Sequence, residues 1–163
     1  MDKKKIAIIV GFLAFAICLF VIFYDVSKKP VEEEIEKFYL SDKYYNTGEF
    51  IKVDASTLEG LDKDNFILYT YNNFCIFKIP CDEIFQEIMS KDKIDVVSIP
   101  FSEFKQTKYY KTVKLAPSVM IIKDGEIIKY LDAESDEDYN RYQEAEEFEK
   151  WLDTYIYLEK EAN

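Results

Sequence analysis

Residues 112–128 read TVKLAPSVMIIKDGEII, and this stretch decides the fold prediction. Pro117 precedes an apolar run of strand-forming residues, and a second apolar run begins at Ile127. Between them stands Asp124-Gly125, a strong hairpin signal because both residues tolerate the positive φ angles of a tight turn. The stretch therefore predicts two antiparallel strands joined by a tight turn, with Pro117 at the start of the first strand.

Hydrophobic spacing outside this hairpin predicts alternating strands and helices. Ser56 and Ser102 are candidate N-caps for two of the helices, and Pro80 suits the first turn of another. The predicted strands are 49–55, 65–71, 93–101, 117–122 and 127–133, and the predicted helices are 31–40, 56–61, 80–89, 102–113 and 148–156. This order implies an α/β fold with a mixed central sheet covered by helices on both faces.

The N-terminal part of the chain has a different character. Residues 6–24, IAIIVGFLAFAICLFVIFY, contain no charge and would span roughly 28 Å as a helix, about the thickness of a bilayer core. The segment ends in bulky residues rather than a small-residue cleavage site, which favours a single-pass signal anchor over a cleaved signal peptide. We expect residues 1–5 to be cytoplasmic, 6–24 to be the transmembrane anchor, 25–49 to be a linker with a short helix opened by Pro30, and 50–163 to be the domain.

Charge predicts the orientation of that anchor and excludes some partners. Lys3, Lys4 and Lys5 precede the span, which places the N-terminus in the cytoplasm and the domain outside it, at the cell membrane. The whole chain carries a net charge of −11, and the part after Lys5 carries about −13. Such an acidic domain repels nucleic acid and anionic headgroups. We therefore expect an exported protein or peptide as partner, and no nucleic acid.

Composition also limits the chemistry. The chain has no histidine and three cysteines, of which Cys18 lies within the predicted span. The remaining two cysteines are too few for a cysteine-built metal site, and histidine-dependent catalysis is excluded. We expect no metal and no cofactor.

The order of elements and two stretches resemble the thioredoxin fold over residues 50–158. The stretch TVKLAPSVMIIKDGEII is similar to the thioredoxin segment in which a cis-proline precedes a strand and a tight turn. This resemblance implies a cis Ala116–Pro117 bond. The stretch ILYTYNNFC, residues 67–75, is similar to the strand leading into the Trp-Cys-Gly-Pro-Cys site, and it places Cys75 at the first cysteine and Phe74 at the tryptophan.

The redox motif itself is degenerate. In the register that needs no insertion, Ile76 and Phe77 replace Gly-Pro, Lys78 replaces the second cysteine, and Tyr69 takes the place of the buried acid. A second register reads Lys-Ile-Pro-Cys, residues 78–81, against the motif and makes Cys81 the resolving cysteine. Neither register restores Cys-x-x-Cys.

Two roles remain open for the cysteines. Cys75 is the natural nucleophile, because a helix N-terminus and Lys78 would both favour its thiolate. Cys81 resolves it if residues 75–79 loop; in a continuous helix the two α-carbons would be about 9 Å apart, too far for a disulfide. Otherwise Cys75 is a half-buried packing residue and Cys81 a helix residue without a redox role.

The resemblance also implies a peptide groove. In this fold the backbone beside the cis-proline, here Ala116 and Pro117, pairs with an extended substrate, and Phe74, Ile76 and Phe77 would add apolar contacts. Two functions therefore compete. One is a membrane-anchored accessory module that binds peptides; the other is a thiol–disulfide oxidoreductase acting on exported proteins, with Cys75 as nucleophile and Cys81 or an external thiol as resolver.

Overall fold

The computed structural model describes residues 36–72 and 80–161. The five strands are β1 Phe50–Lys52, β2 Phe66–Tyr71, β3 Val96–Pro100, β4 Ser118–Lys123 and β5 Glu126–Asp132. The α-helices are α1 Ala55–Glu59, α2 Cys81–Asp92, α3 Phe101–Phe104 and α4 Ala145–Tyr155, and 3-10 turns occupy Asp42–Tyr44, Lys108–Lys111 and Tyr139–Tyr142.

The strands form one mixed sheet in the order β1-β3-β2-β4-β5. β1 and β2 both run parallel to β3, whereas β4 is antiparallel to β2 and to β5. Parallel neighbours need crossover connections and antiparallel ones do not, which matches the order of elements along the chain. The prediction of a mixed α/β sheet flanked by helices is confirmed.

Alternation along β2 directs its side chains to both sides of the sheet. Tyr69 meets Phe85 of α2 with ring centroids 5.2 Å apart, and Phe85 in turn lies 4.4 Å from Phe148 of α4. On the opposite side, Phe66 meets Tyr44 with centroids 5.8 Å apart. β2 is therefore buried on both faces, as its continuous apolar run predicts.

The predicted β4–β5 hairpin is confirmed. Asp124 and Gly125 have φ angles of 49° and 75°, the pair of positive angles that a two-residue turn requires. A Cβ on Gly125 would lie 2.6 Å from the Asp62 carbonyl oxygen, so glycine is needed here for space as well as for conformation.

Two predicted caps were wrong. The side chain that caps α1 is Asp54, which accepts a 2.7 Å hydrogen bond from the Thr57 amide, and Ser56 lies inside the helix. Ser102 also lies inside its helix, and α3 ends at Phe104 instead of continuing to residue 113. The Phe104 carbonyl accepts from the backbone and the hydroxyl of buried Thr107, which closes a turn where a longer helix would have continued.

Residues 36–49, which the sequence analysis assigned to the linker, pack against the rest of the described chain. Phe38 pairs with Ile156 in a parallel bridge, and Tyr45 pairs with Ile94. Phe38, Leu40 and Tyr44 are all buried. The helix predicted over 31–40 is not formed in its described part, because Phe38 exchanges backbone hydrogen bonds with the end of the chain instead. One compact unit begins at Glu36.

The predicted membrane span, residues 6–24, lies outside the described residues. Within residues 36–72 and 80–161, no helix combines the length and the apolar character needed to cross a bilayer.

Candidate functional site

A pocket of about 310 Å³ lies at the carboxyl-terminal ends of the parallel strands. Its floor is aromatic: Phe50 of β1 and Tyr69 of β2 have ring centroids 5.6 Å apart, and Tyr69 and Tyr71 are 5.8 Å apart. Ser98 of β3 completes this floor. The end of a sheet where parallel strands finish is the usual place for ligands in α/β folds.

The strand register explains why these four side chains converge. Phe50 is paired with Val96, and Tyr69 is paired with Ser98, so alternate residues of all three strands face the same side. The short β1 and the long β2 both flank β3, which brings side chains from distant parts of the sequence to one surface.

Polar and charged side chains surround the opening. Lys52, Asn72 and Asp82 line the pocket, and all three are exposed. Neither Lys52 nor Asp82 belongs to an ion pair in the described part of the chain. Among the described residues, the opening therefore carries one cation and one anion.

The wall of the pocket includes Pro117, as the resemblance implies. The Ala116–Pro117 bond is cis and directly precedes β4, so both parts of that prediction are confirmed. Pro117 is buried and Ala116 is half-buried. The resemblance also implies that the proline ring lies against residues 75–78, and this segment is outside the described residues.

The carbonyl groups of residues 115–117 each lie within hydrogen-bond distance of a side-chain donor of the same chain. The Ser118 hydroxyl donates to the Leu115 oxygen at 2.9 Å, and the Asn72 amide donates to the Ala116 oxygen at 2.9 Å. The Tyr142 hydroxyl lies 3.3 Å from the Pro117 oxygen. One acceptor position of the Ala116 oxygen is therefore occupied within the chain.

Tyr142 is a site residue that the sequence analysis missed. It lies in the 3-10 turn Tyr139–Tyr142, is fully buried, and donates at 2.7 Å to the Leu131 carbonyl of β5. Burial raises the pKa of Tyr142 well above its ordinary value, and the nearby Cys81 raises it further. The tyrosine stays neutral and joins the Pro117 wall to β5. Its stretch of sequence carries no motif that would have revealed this.

Cys81 is the one candidate cysteine within the described residues. It is the first residue of α2, it lines the pocket, and only 1% of its surface is exposed. Pro80, exposed, is the N-cap residue, so the helix begins where the proline predicts. The structure thus brings Cys81 and Pro117 to one pocket, but it buries the sulfur-bearing residue.

Tyr69 takes the place that the resemblance gives to a buried acid. It is 7% exposed and is surrounded by the rings of Phe50, Tyr71 and Phe85. A tyrosine in an aromatic environment is a poor proton acceptor near neutral pH, because its ordinary pKa is about 10. The described pocket therefore holds no group suited to that proton transfer at this position.

The other candidate residues, Phe74, Cys75, Ile76, Phe77 and Lys78, lie outside the described residues. Within the described ranges, no cluster of three or more cysteine, aspartate or glutamate side chains could hold a metal ion.

Comparison with known proteins shows similarity to solved thioredoxin structures. A mutant thioredoxin from Halobacterium salinarum NRC-1 is 19% identical, with a TM-score of 0.47 over 68% of this chain and 93% of that one. The Schistosoma mansoni thioredoxin is 18% identical, with a TM-score of 0.47 over 68% of this chain and 99% of that one. Thioredoxin f from spinach chloroplast is 15% identical, with a TM-score of 0.43 over 61% and 88%.

No family model matches the sequence. No curated protein matches it either. The strand order, the two crossovers, the hairpin and the cis-proline before β4 define a thioredoxin-like fold.

Proposed function

We propose that this chain is a membrane-anchored, extracytoplasmic accessory protein whose thioredoxin-like domain binds an exposed apolar side chain of a partner peptide. The observation that carries the proposal is the pocket beside Pro117, whose floor is formed by the rings of Phe50, Tyr69 and Tyr71. Small-ligand and peptide sites are concave, mainly apolar, and have a few polar groups at the opening. Each of these features is present here.

Among the described residues, two features of this pocket are unfavourable for dithiol exchange. Exchange requires an accessible thiolate and a route for protons. Cys81 is buried, and a tyrosine, Tyr69, stands at the position where the resemblance implies a proton-transfer acid. These two observations favour binding over catalysis.

The topology proposed here rests on the sequence. Lys3, Lys4 and Lys5 before the uncharged span favour a cytoplasmic N-terminus and an exported domain. External protease should digest the domain in intact cells whose wall has been removed. Digestion only after lysis would show that the domain lies inside the cell and would contradict the proposed orientation.

Thiol–disulfide exchange is the second candidate, and one observation favours it. Cys81 lines the pocket next to Pro117, at the start of a helix. In this alternative the Cys75 thiolate attacks a substrate disulfide, and Cys81 or an external thiol releases the mixed disulfide.

Peptide binding is tested with the full-length chain in detergent. The probes are the peptides acetyl-GSGSXSGSG-amide with Phe, Leu, Lys or Glu at X, and binding is followed by NMR titration. We expect the Phe and Leu peptides to bind more tightly than the Lys and Glu peptides. Tyr71→Ala should lower the affinity for the Phe peptide by about tenfold or more, since an aromatic contact and its buried area are lost.

The control is Tyr139→Ala, which makes the same change at a tyrosine that is 47% exposed. It should leave binding unchanged. Equal affinity for all four peptides, or an equal loss in both variants, would contradict a pocket-based binding function. Reduction of a model disulfide by the wild type, abolished in Cys75→Ser, would establish the exchange activity instead.

A further inference from the structure

The carbonyl of Ala116 distinguishes two ways in which a peptide could bind beside Pro117. Strand pairing at this carbonyl requires a peptide N–H to donate to its oxygen. The Ala116 oxygen already accepts a 2.9 Å hydrogen bond from the side-chain amide of Asn72. The Leu115 oxygen likewise accepts from the Ser118 hydroxyl.

Asn72 is well placed to compete with a peptide. It directly follows β2, it is exposed, and it lines the same pocket as Pro117. Its N–H group is chemically similar to a peptide N–H. A peptide that displaced it would replace one hydrogen bond by another of the same kind, with little net gain.

The aromatic floor supplies the favourable binding contacts that the backbone at Ala116 does not. The pocket volume of about 310 Å³ is at the lower end of the range for ligand sites, which suits one large side chain rather than a folded ligand. Phe50 and Tyr71 are both half-buried, so their remaining apolar surface is available for contact. Removing that surface from water is the main source of favourable free energy here.

We infer that the pocket recognises an inserted apolar or aromatic side chain of its peptide partner, and that Asn72 is a specificity-determining residue that blocks strand pairing at the Ala116 carbonyl. This inference rests on the proposed peptide-binding function and adds its mode of recognition. Partners are selected by one side chain, with little requirement for an extended backbone on either side of it.

Backbone N-methylation of the probe peptide tests the inference. Each peptide N–H of acetyl-GSGSFSGSG-amide is methylated in turn, and affinities for the full-length chain are compared. For the wild type, every single methylation should change affinity by less than about threefold, whereas replacing Phe by Ser should cost about tenfold or more. For Asn72→Ala, one methylation position should become sensitive by about tenfold, because a peptide N–H can now bind Ala116.

Asn140→Ala is the matched control, since Asn140 is also exposed and lies in the turn Tyr139–Tyr142. It should behave as the wild type in every titration. Sensitivity of the wild type to one methylation, with no change in Asn72→Ala, would overturn the inference and leave peptide binding intact. Absence of any peptide binding would overturn the proposed function and the inference together. Thermal unfolding of each variant shows whether it is folded.

Discussion

The two ends of the parallel strands differ in how their polar groups are satisfied. At the amino-terminal end, Asp95 directly precedes β3 and is only 3% exposed. Its carboxylate accepts hydrogen bonds from the backbone amides of Gly48 and Glu49 at 2.8 and 2.9 Å and from Thr47 at 3.2 Å. The Asn46 side chain adds a fourth. This network fixes the loop that leads into β1.

At the carboxyl-terminal end of the same strands, the described residues form an open pocket. Phe50 and Tyr71 are half-buried there, and Lys52, Asn72 and Asp82 are exposed around them. Binding needs groups that can exchange water for a ligand, whereas a closed network gives stability. On the proposed binding function, stability and binding depend on opposite ends of the same strands, so variants at the two ends should affect different measurements.

Loss of the Asp95 carboxylate should have the largest effect on stability. Asp95→Ala leaves three backbone amides without their acceptor, and we expect the free energy of unfolding to fall by about 3 kcal/mol. Denaturant unfolding of the full-length chain measures it. Peptide affinity of the folded fraction should not change, because the pocket lies at the other end of β3. The control Asp136→Ala removes an exposed acid and should have little effect.

The same network predicts a pH dependence. Burial alone would raise the pKa of Asp95, but hydrogen bonds from Glu49, Asn46, Gly48 and Thr47 lower it below its ordinary value. A lowered pKa stabilises the folded state at pH values above the unfolded pKa, and this contribution is lost as the pH falls through the folded value. The stability difference between wild type and Asp95→Asn should therefore shrink below about pH 4. A difference that stays constant to about pH 2 would contradict this assignment.

Gly48→Ala should have the second largest effect. Gly48 has a φ of 81°, and a Cβ at this position would lie 2.2 Å from the Met89 carbonyl oxygen. Both the left-handed backbone and the clash with α2 oppose a side chain, so we expect a loss of about 2 kcal/mol. Gly60→Ala is the matched control, because its Cβ would meet only the Thr57 oxygen, at 3.3 Å, and its φ is −70°. Equal stability of the two variants would show that the loop before β1 can relax.

The parts of the fold that local sequence determines were predicted well. The β4–β5 turn follows from Asp124-Gly125, two residues that accept positive φ angles. The start of α2 follows from Pro80, and the burial of β2 follows from its continuous apolar run. Each of these features depends on neighbouring residues, so their signals are present in a short window of sequence.

Features that depend on distant residues were missed. Asp95 closes a loop far before it in the chain, and Tyr142 reaches the Pro117 wall from a turn with no motif. The end of α3 at Phe104 depends on burial of Thr107, which no local pattern indicates. Of the predicted site, Ala116, Pro117 and Cys81 lie within the described residues; the aromatic floor required the register of three strands, which the sequence does not provide.

Asp92 is an exception to the closed end of the sheet, and its replacement should have the smallest effect. It is the last residue of α2, and its Oδ2 atom is buried without a hydrogen-bond partner in the described part of the chain. Burial raises the pKa of Asp92, and the neighbouring Glu149 raises it further. A carboxylate at a helix C-terminus is also opposed by the helix dipole.

The pKa shift of Asp92 is therefore opposite in sign to that of Asp95, and so is its effect on the pH dependence of stability. A raised pKa favours the folded state below the unfolded value, and that contribution is lost as the pH rises through the folded value. Asp92→Asn removes the charge at every pH, so we expect a gain of about 0.5 kcal/mol at neutral pH that vanishes near about pH 4. Thermal unfolding across this range measures it, with Asp136→Asn as the exposed control. A loss of stability at neutral pH would mean that the Asp92 charge is favourable in the folded state. The end of α2 would then belong with the Asp95 network as a region whose polar groups stabilise the fold.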